Sequence, residues 1–150
     1  MSTQLYYRYR KLYKVLVALT ICIATTSARS EVVVIVNLEN PVQSMTPQEI
    51  SDFFLGRSRV FSSGIAAEIY EQPRDAQTRQ EFFHLINGMS LKMLNAYWAR
   101  LQFSGEVQPP LSLSDSKAVL AAVRKSKGGL GYIDASVLDN SVKVILRLKE

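Results

Sequence analysis

The sequence predicts an α/β domain with a small mixed sheet and helices packed on it. Three observations carry this. "EVVVIVN" (31–37) is a continuous run of β-branched residues, the pattern of a strand buried on both faces, as in a parallel sheet covered by helices. "MTPQEISDFFLG" (45–56) carries the start and stop signals of a short amphipathic helix. Beyond them the order runs strand, helix, strand, several helices, strand, strand, with no repeat and no low-complexity linker.

The elements follow one by one. In the first helix Thr46 is placed to cap, and Pro47 sits where a missing N–H costs nothing. Glu49 completes a capping box, and Met45 with Ile50 forms a hydrophobic staple. Ile50, Phe53 and Phe54 share one face, and Gly56 ends the helix. "IAAEIY" (65–70) reads as a short second strand. Helical spacing resumes after Asp75, the expected N-cap, with Phe82, Phe83 and Ile86 as the apolar stripe and "NG" at Asn87 and Gly88 as the stop. Ser90 caps a third helix whose Leu91, Leu94, Trp98 and Leu101 face a core. "FSGEVQPPLSLS" (103–114) reads as a loop. Ser114 is the expected cap of a fourth helix with Val119, Ala122 and Val123 inward and Arg124, Lys125 and Lys127 at its end, where cations suit the helix dipole. "GGLGYID" turns into a strand, and "SVKVILRL" is the last strand, alternating at Val142, Val144, Leu146 and Leu148 on one side.

Ahead of these lies a leader. "YRYRKLYK" is a positive region, "VLVALTICIA" an apolar stretch of ten residues, too short to span a bilayer, and "TTSARS" supplies small residues. This is the layout of a secretory signal peptide over residues 1–30, cleaved after Ala28 or Ser30, with one domain over 31–150 and a periplasmic destination. The leader holds five of the 18 basic residues and no acid, so the remaining 13 bases balance the 13 acids. The formal charge of +5 therefore gives no footprint for nucleic acid. The single cysteine, Cys22, falls in the leader, which excludes thiolate metal sites and cysteine catalysis from the domain. The single histidine, His84, has no Gly-x-Ser-x-Gly elbow to serve, and no carboxylate pair stands at a telling spacing. No enzyme, cofactor or metal is expected, and no membrane span follows the leader.

Several segments together resemble the phosphate-binding periplasmic proteins of ABC transporters. In "VVVIVNLENPVQSMTPQEISDFFLGRSRVFSSG" these are Asn37, Phe53, Phe54, Gly56, Arg57 and Phe61; "AYWARLQFSG" and "KGGLGYIDAS" match later parts of the same family. The resemblance implies one lobe, about half of a type 2 periplasmic binding protein. It also implies a ligand site at the turn from Gln72 to Arg79, formed by Arg74, Ala76, Gln77, Thr78 and Arg79. Here the sequence departs from the family: Gln72 stands where an Arg is usual, Ala76 where a serine is, and Gln77 where a glycine is, while Thr78 matches. Two functions follow. One is a periplasmic solute-binding-like protein for inorganic phosphate or another small anion. The other is a periplasmic interaction module that has kept the fold, lost the ligand and binds a protein partner or forms a homo-oligomer.

Overall fold

The computed structural model describes residues 31–105 and 107–149; the leader expected at 1–30 lies outside them. In chain order the elements are β1 (Val32–Asn37), α1 (Pro47–Phe54), β2 (Glu68–Glu71), α2 (Gln77–Asn87), α3 (Leu91–Ser104), β3 (Leu111–Ser112), α4 (Ser116–Lys125), β4 (Gly129–Asp134) and β5 (Val142–Leu148). A 3₁₀ turn at Ala135–Val137 links the last two. The strands form one sheet in the order β3-β2-β4-β1-β5. β2 runs parallel to both β3 and β4, whereas β1 is antiparallel to β4 and to β5. This is the mixed α/β architecture expected. Two details differ: β1 is buried on both faces inside an antiparallel part of the sheet, and the segment read as a loop contains the two-residue β3.

The two-sided burial of β1 divides the core. Val32, Val34 and Val36 pack with the aromatics of α1 and α2 and with Leu94 and Trp98 of α3. Val33 and Ile35 point to the other face, where Val119, Leu120 and Val123 of α4 cover them. The domain is thus a sheet between a three-helix layer and the single helix α4. The run "GGLGY" explains how closely α4 lies. A Cβ on Gly131 would come within 2.6 Å of Val119 Cγ1, and one on Gly129 within 2.8 Å of the Val123 backbone. Only glycine lets the helix sit that near the strand.

β5 does not keep one face throughout. Val34 pairs with Leu146 and Ile35 with Val144, so Ile145 is an extra residue in the edge strand. Val142 and Val144 consequently pack on the α4 side, while Ile145, Leu146 and Leu148 pack on the three-helix side. Strict alternation in the sequence could not reveal the bulge, which moves one half of the strand across the sheet. Lys143 and Arg147 lie on either side of it, and bulge and charge together blunt the open edge.

α1 forms as its end signals dictate. Glu49 N donates to Thr46 Oγ1 at 3.2 Å, and Thr46 N donates to Glu49 Oε2 at 2.7 Å. Thr46 Oγ1 also donates to Glu49 Oε2 at 2.8 Å, and the two bonds that Thr46 donates, from its N–H and its hydroxyl, hold the Glu49 carboxyl below its ordinary value of 4.5. A carboxyl whose folded pKa is depressed contributes stability above its unfolded pKa and loses it as the pH falls through the folded one. Thr46→Ala is expected to lower stability by about 0.5–2 kcal/mol. Urea unfolding at neutral pH and at pH below 4.5 checks this: the difference between variant and parent shrinks at the acidic point if the box is the cause.

Candidate functional site

The three parallel strands end at one edge of the sheet. After β2 the chain turns through Pro73–Ala76 into α2, after β3 it passes Leu113–Asp115 into α4, and after β4 it enters the 3₁₀ turn. Two helix N-termini and a tight turn therefore meet beyond the carboxyl ends of adjacent strands, where open α/β sheets place their ligands. A crevice of about 460 Å³ opens there, lined by Gln72, Pro73, Ala76, Thr78, Ser114, Asp115, Ser116, Lys117, Asp134, Ser136 and Val137.

The two helix starts are unlike. α4 is capped by Asp115, not by Ser114 as the sequence suggested: Asp115 Oδ1 accepts from Ala118 N at 2.8 Å. For α2 the N-cap position falls on Ala76, and no side chain caps it. Asp75, the expected cap, comes one residue early. Ala76 N donates to Pro73 O at 3.1 Å, closing a turn that leaves Asp75 exposed. Arg79 N and Gln80 N reach back to Ala76 O at 3.1 and 3.2 Å, and the earlier amides of Gln77 and Thr78 are taken by no capping side chain. They form the positive end of the helix dipole.

Beneath the crevice lies a buried polar cluster. Arg79 is 3% exposed; its Nε donates to Glu71 Oε1 at 3.0 Å, and Glu71 is equally buried. Arg79 Nη1 donates to Arg74 O at 3.1 Å and to Asn95 Oδ1 at 3.3 Å, and the guanidinium lies over the Phe83 ring at 5.6 Å. Tyr132 stacks on Phe82 with ring centroids 3.8 Å apart. Its hydroxyl makes no hydrogen bond of good geometry among the described residues, but it faces Glu71. Burial pushes the Glu71 carboxyl above 4.5, against the opposing pull of Arg79 and the Tyr132 hydroxyl. Burial and the Glu71 charge push the Tyr132 hydroxyl upward as well.

Gln72 joins this cluster to the crevice. It is 2% exposed, and its Nε2 donates to Tyr132 O at 2.9 Å and to Ser116 Oγ at 3.1 Å. Ser116 Oγ also accepts from Asp134 N at 3.1 Å, so one hydroxyl ties the ends of β2 and β4 to the start of α4. Asp134 Oδ1 accepts from Ser136 N at 2.8 Å.

The structure separates the five residues of the sequence-based site. Ala76 and Thr78 line the crevice. Gln77 begins α2 with an exposed side chain that donates to Glu81 Oε1 at 2.8 Å. Arg74 is exposed and offers its carbonyl to Arg79, and Arg79 directs its charge inward to Glu71. Ser114, Asp115, Ser116, Lys117, Asp134 and Ser136 were not foreseen. They lie some forty to sixty residues further along the chain, and only the parallel pairing of β2 with β3 and β4 brings them to this edge. Among the described residues no group of three or more His, Cys, Asp or Glu side chains could hold a metal, and no helix is long and apolar enough to cross a membrane.

No protein-family model and no curated protein matches the chain. Solved structures do. A protein described as a phosphate ABC transporter substrate-binding protein from Clostridium perfringens, solved with bound phosphate, matches with TM-score 0.62 and 16% identity over 77% of this chain and 45% of that one. An ABC-type phosphate transport receptor from Vibrio cholerae matches with TM-score 0.60 and 18% identity over 77% and 46%. A protein from Planctomyces limnophilus described as phosphate-binding matches with TM-score 0.58 and 16% identity over 77% and 41%. The chain spans under half the length of these structures, and its fold is that of a single periplasmic-binding-protein lobe.

The buried pair makes a sharp prediction. A carboxyl whose folded pKa is raised contributes stability that is full below its unfolded pKa and lost as the pH rises through the folded one. Arg79→Met strands Glu71 without its partner and is expected to cost about 3–5 kcal/mol near neutral pH. The cost shrinks as the pH falls toward 4.5 and Glu71 takes a proton. Denaturant unfolding across that range measures it; a loss independent of pH means that packing, not the stranded charge, sets the cost.

Proposed function

We propose that this chain is a periplasmic solute-binding protein that holds a small anion, inorganic phosphate foremost, in the crevice at the carboxyl edge of β2, β3 and β4. One observation carries the reading: the N-terminus of α2, left uncapped by any side chain, opens on that crevice. The amides of Gln77 and Thr78 and the Thr78 hydroxyl donate to the anion, and Lys117 supplies charge from the facing helix. Arg79 acts from below. By pairing with Glu71 and holding the Arg74 carbonyl it fixes the turn that presents those amides. The solved structures that share the fold and are described as phosphate-binding support the choice of anion.

The crevice is open to solvent, so each contact is weak and salt screens it. Dissociation constants of about 0.1–1 mM are expected for phosphate, equivalent to about 4–5.5 kcal/mol. Titration with phosphate and sulfate, followed by amide chemical shifts, tests the site: the shifts should centre on Ala76–Arg79 and Lys117, and Thr78→Ala and Lys117→Ala should each weaken binding severalfold. Shifts centred elsewhere contradict the site. No binding by either anion leaves the interaction-module reading, for which Phe103, 97% exposed on α3, offers a surface.

The periplasmic destination rests on the leader. Intact-mass measurement of protein from a periplasmic extract is expected to give a chain beginning at Arg29 or Glu31; a mass that includes residues 1–28 contradicts it.

A further inference from the structure

We infer that the outward face of α3 docks on an anionic lipid surface, with Phe103 and Met93 inserted among the lipids and Lys92 and Arg100 against their headgroups. The inference does not depend on the crevice or on its ligand.

Leu94 and Trp98, both buried, fix the inward side of α3. Phe103 comes nine residues after Leu94, about two and a half turns, and therefore stands on the opposite side of the helix. It is 97% exposed at a place where an amphipathic helix carries a polar residue. Ala96, seven residues earlier, lies on the same side, and Lys92, Met93, Ala99 and Arg100 complete an exposed arc around the two. One exposed apolar side chain is ordinary on a protein surface. Here two large ones, with Met93 56% exposed, share one side of one helix. They are about 15 Å apart along its axis, with alanines between them.

Charge decides what meets this face. From Phe82 to Gly105 the sequence holds no acid. Lys92 and Arg100 are exposed and form no ion pair among the described residues. Bulky apolar groups flanked by long cationic side chains, whose stems lie along apolar surface while their charges stay in water, suit a helix resting in a membrane interface. A second copy of the chain suits it poorly. Any two-fold pairing of α3 with itself doubles the cations in the interface and brings no acid on either helix to offset them. The cavities beside Phe53, Val107 and Gln72 include no residue of α3, so the face is a convex ridge away from them. A protein partner must supply its own pockets for Phe103 and Met93; a fluid lipid surface accepts both without any. Two apolar groups and two cations make the contact weak and reversible.

Co-sedimentation with vesicles tests this on the protein exported from the full-length gene. One set of vesicles is phosphatidylcholine alone; the other is equal parts phosphatidylcholine and phosphatidylglycerol. The protein is expected to sediment with the mixed vesicles at low salt and to be released as salt rises. Phe103→Ser should lower the partition coefficient about tenfold. Lys92→Gln and Arg100→Gln should each lower it about fivefold on mixed vesicles and leave the weak binding to phosphatidylcholine unchanged, because only the first surface is charged. All three side chains are exposed, and unchanged thermal unfolding verifies that the variants fold. Phe103→Trp adds an exposed indole to the buried Trp98, and its emission should move to the blue on the mixed vesicles. A parent protein that stays in the supernatant with mixed vesicles overturns the inference. Sedimentation that survives Phe103→Ser and both charge substitutions overturns it too, since the contact then lies elsewhere. Self-association lost in Phe103→Ser, without vesicle binding, assigns the face to a second copy instead.

Discussion

The ion pair between Glu71 and Arg79 is the constraint from which the site follows. It joins the last residue of β2 to the first buried residue of α2, and both side chains are almost wholly withdrawn from water. Separately, each charge would be intolerable there; together they are bearable because Arg79 also donates to the Arg74 carbonyl and to Asn95, and lies on Phe83. A pair of this kind adds little net stability compared with a well-packed apolar alternative. What it does fix is direction. With Glu71 and Arg79 paired and Arg79 also holding the Arg74 carbonyl, the turn between them is tied at both ends, and the start of α2 lies at the carboxyl edge of the sheet.

α4 is held by the complementary device, a buried amide at each end. Asn37, at the end of β1, donates through Nδ2 to the carbonyls of Val123 and Arg124 at 3.1 and 2.9 Å, and so occupies the last turn of α4. Gln72, at the end of β2, donates to Ser116 Oγ in the first turn. Between these points the glycines of β4 let the helix settle directly on the strand. The two helix starts that frame the crevice are thus positioned by different chemistry, one by a salt bridge and one by amide hydrogen bonds. Neither depends on the crevice being filled.

Local signals in the sequence were sufficient for the elements. The capping box of Thr46 and Glu49, the αL glycine at Gly88 and the cap at Ser90 are contacts within four residues, and each is found. Trp98, read as core from its spacing, is buried. Features set by the pairing of distant segments were not legible. β1 reads as a parallel strand because two-sided burial leaves no alternation, yet its neighbours run against it. Ile145 bulges in the pairing of β5 with β1, which no periodicity within β5 encodes. For the site, one wall was visible as a strand-to-helix turn. The other wall, Ser114–Lys117 and Asp134–Ser136, read only as a helix cap and a strand end, because nothing local says which turns will share an edge.

The displacement of a single aspartate separates the two walls. Asp115 stands at the N-cap of α4, so that helix satisfies one of its own terminal amides with a carboxylate and shows the crevice a negative group. Asp75 stands one position before the N-cap of α2, turned to solvent, and Ala76 fills the cap without any side-chain bond. Two helix termini that would otherwise be equivalent thus differ: one satisfies a terminal amide with a carboxylate, and the other has no side-chain cap. An uncapped start costs stability unless water or a ligand takes its N–H groups. With α2 uncapped beside a capped α4 and Gln72 fixed between them, the donor groups that no side chain of the chain takes are gathered at the α2 side of the crevice.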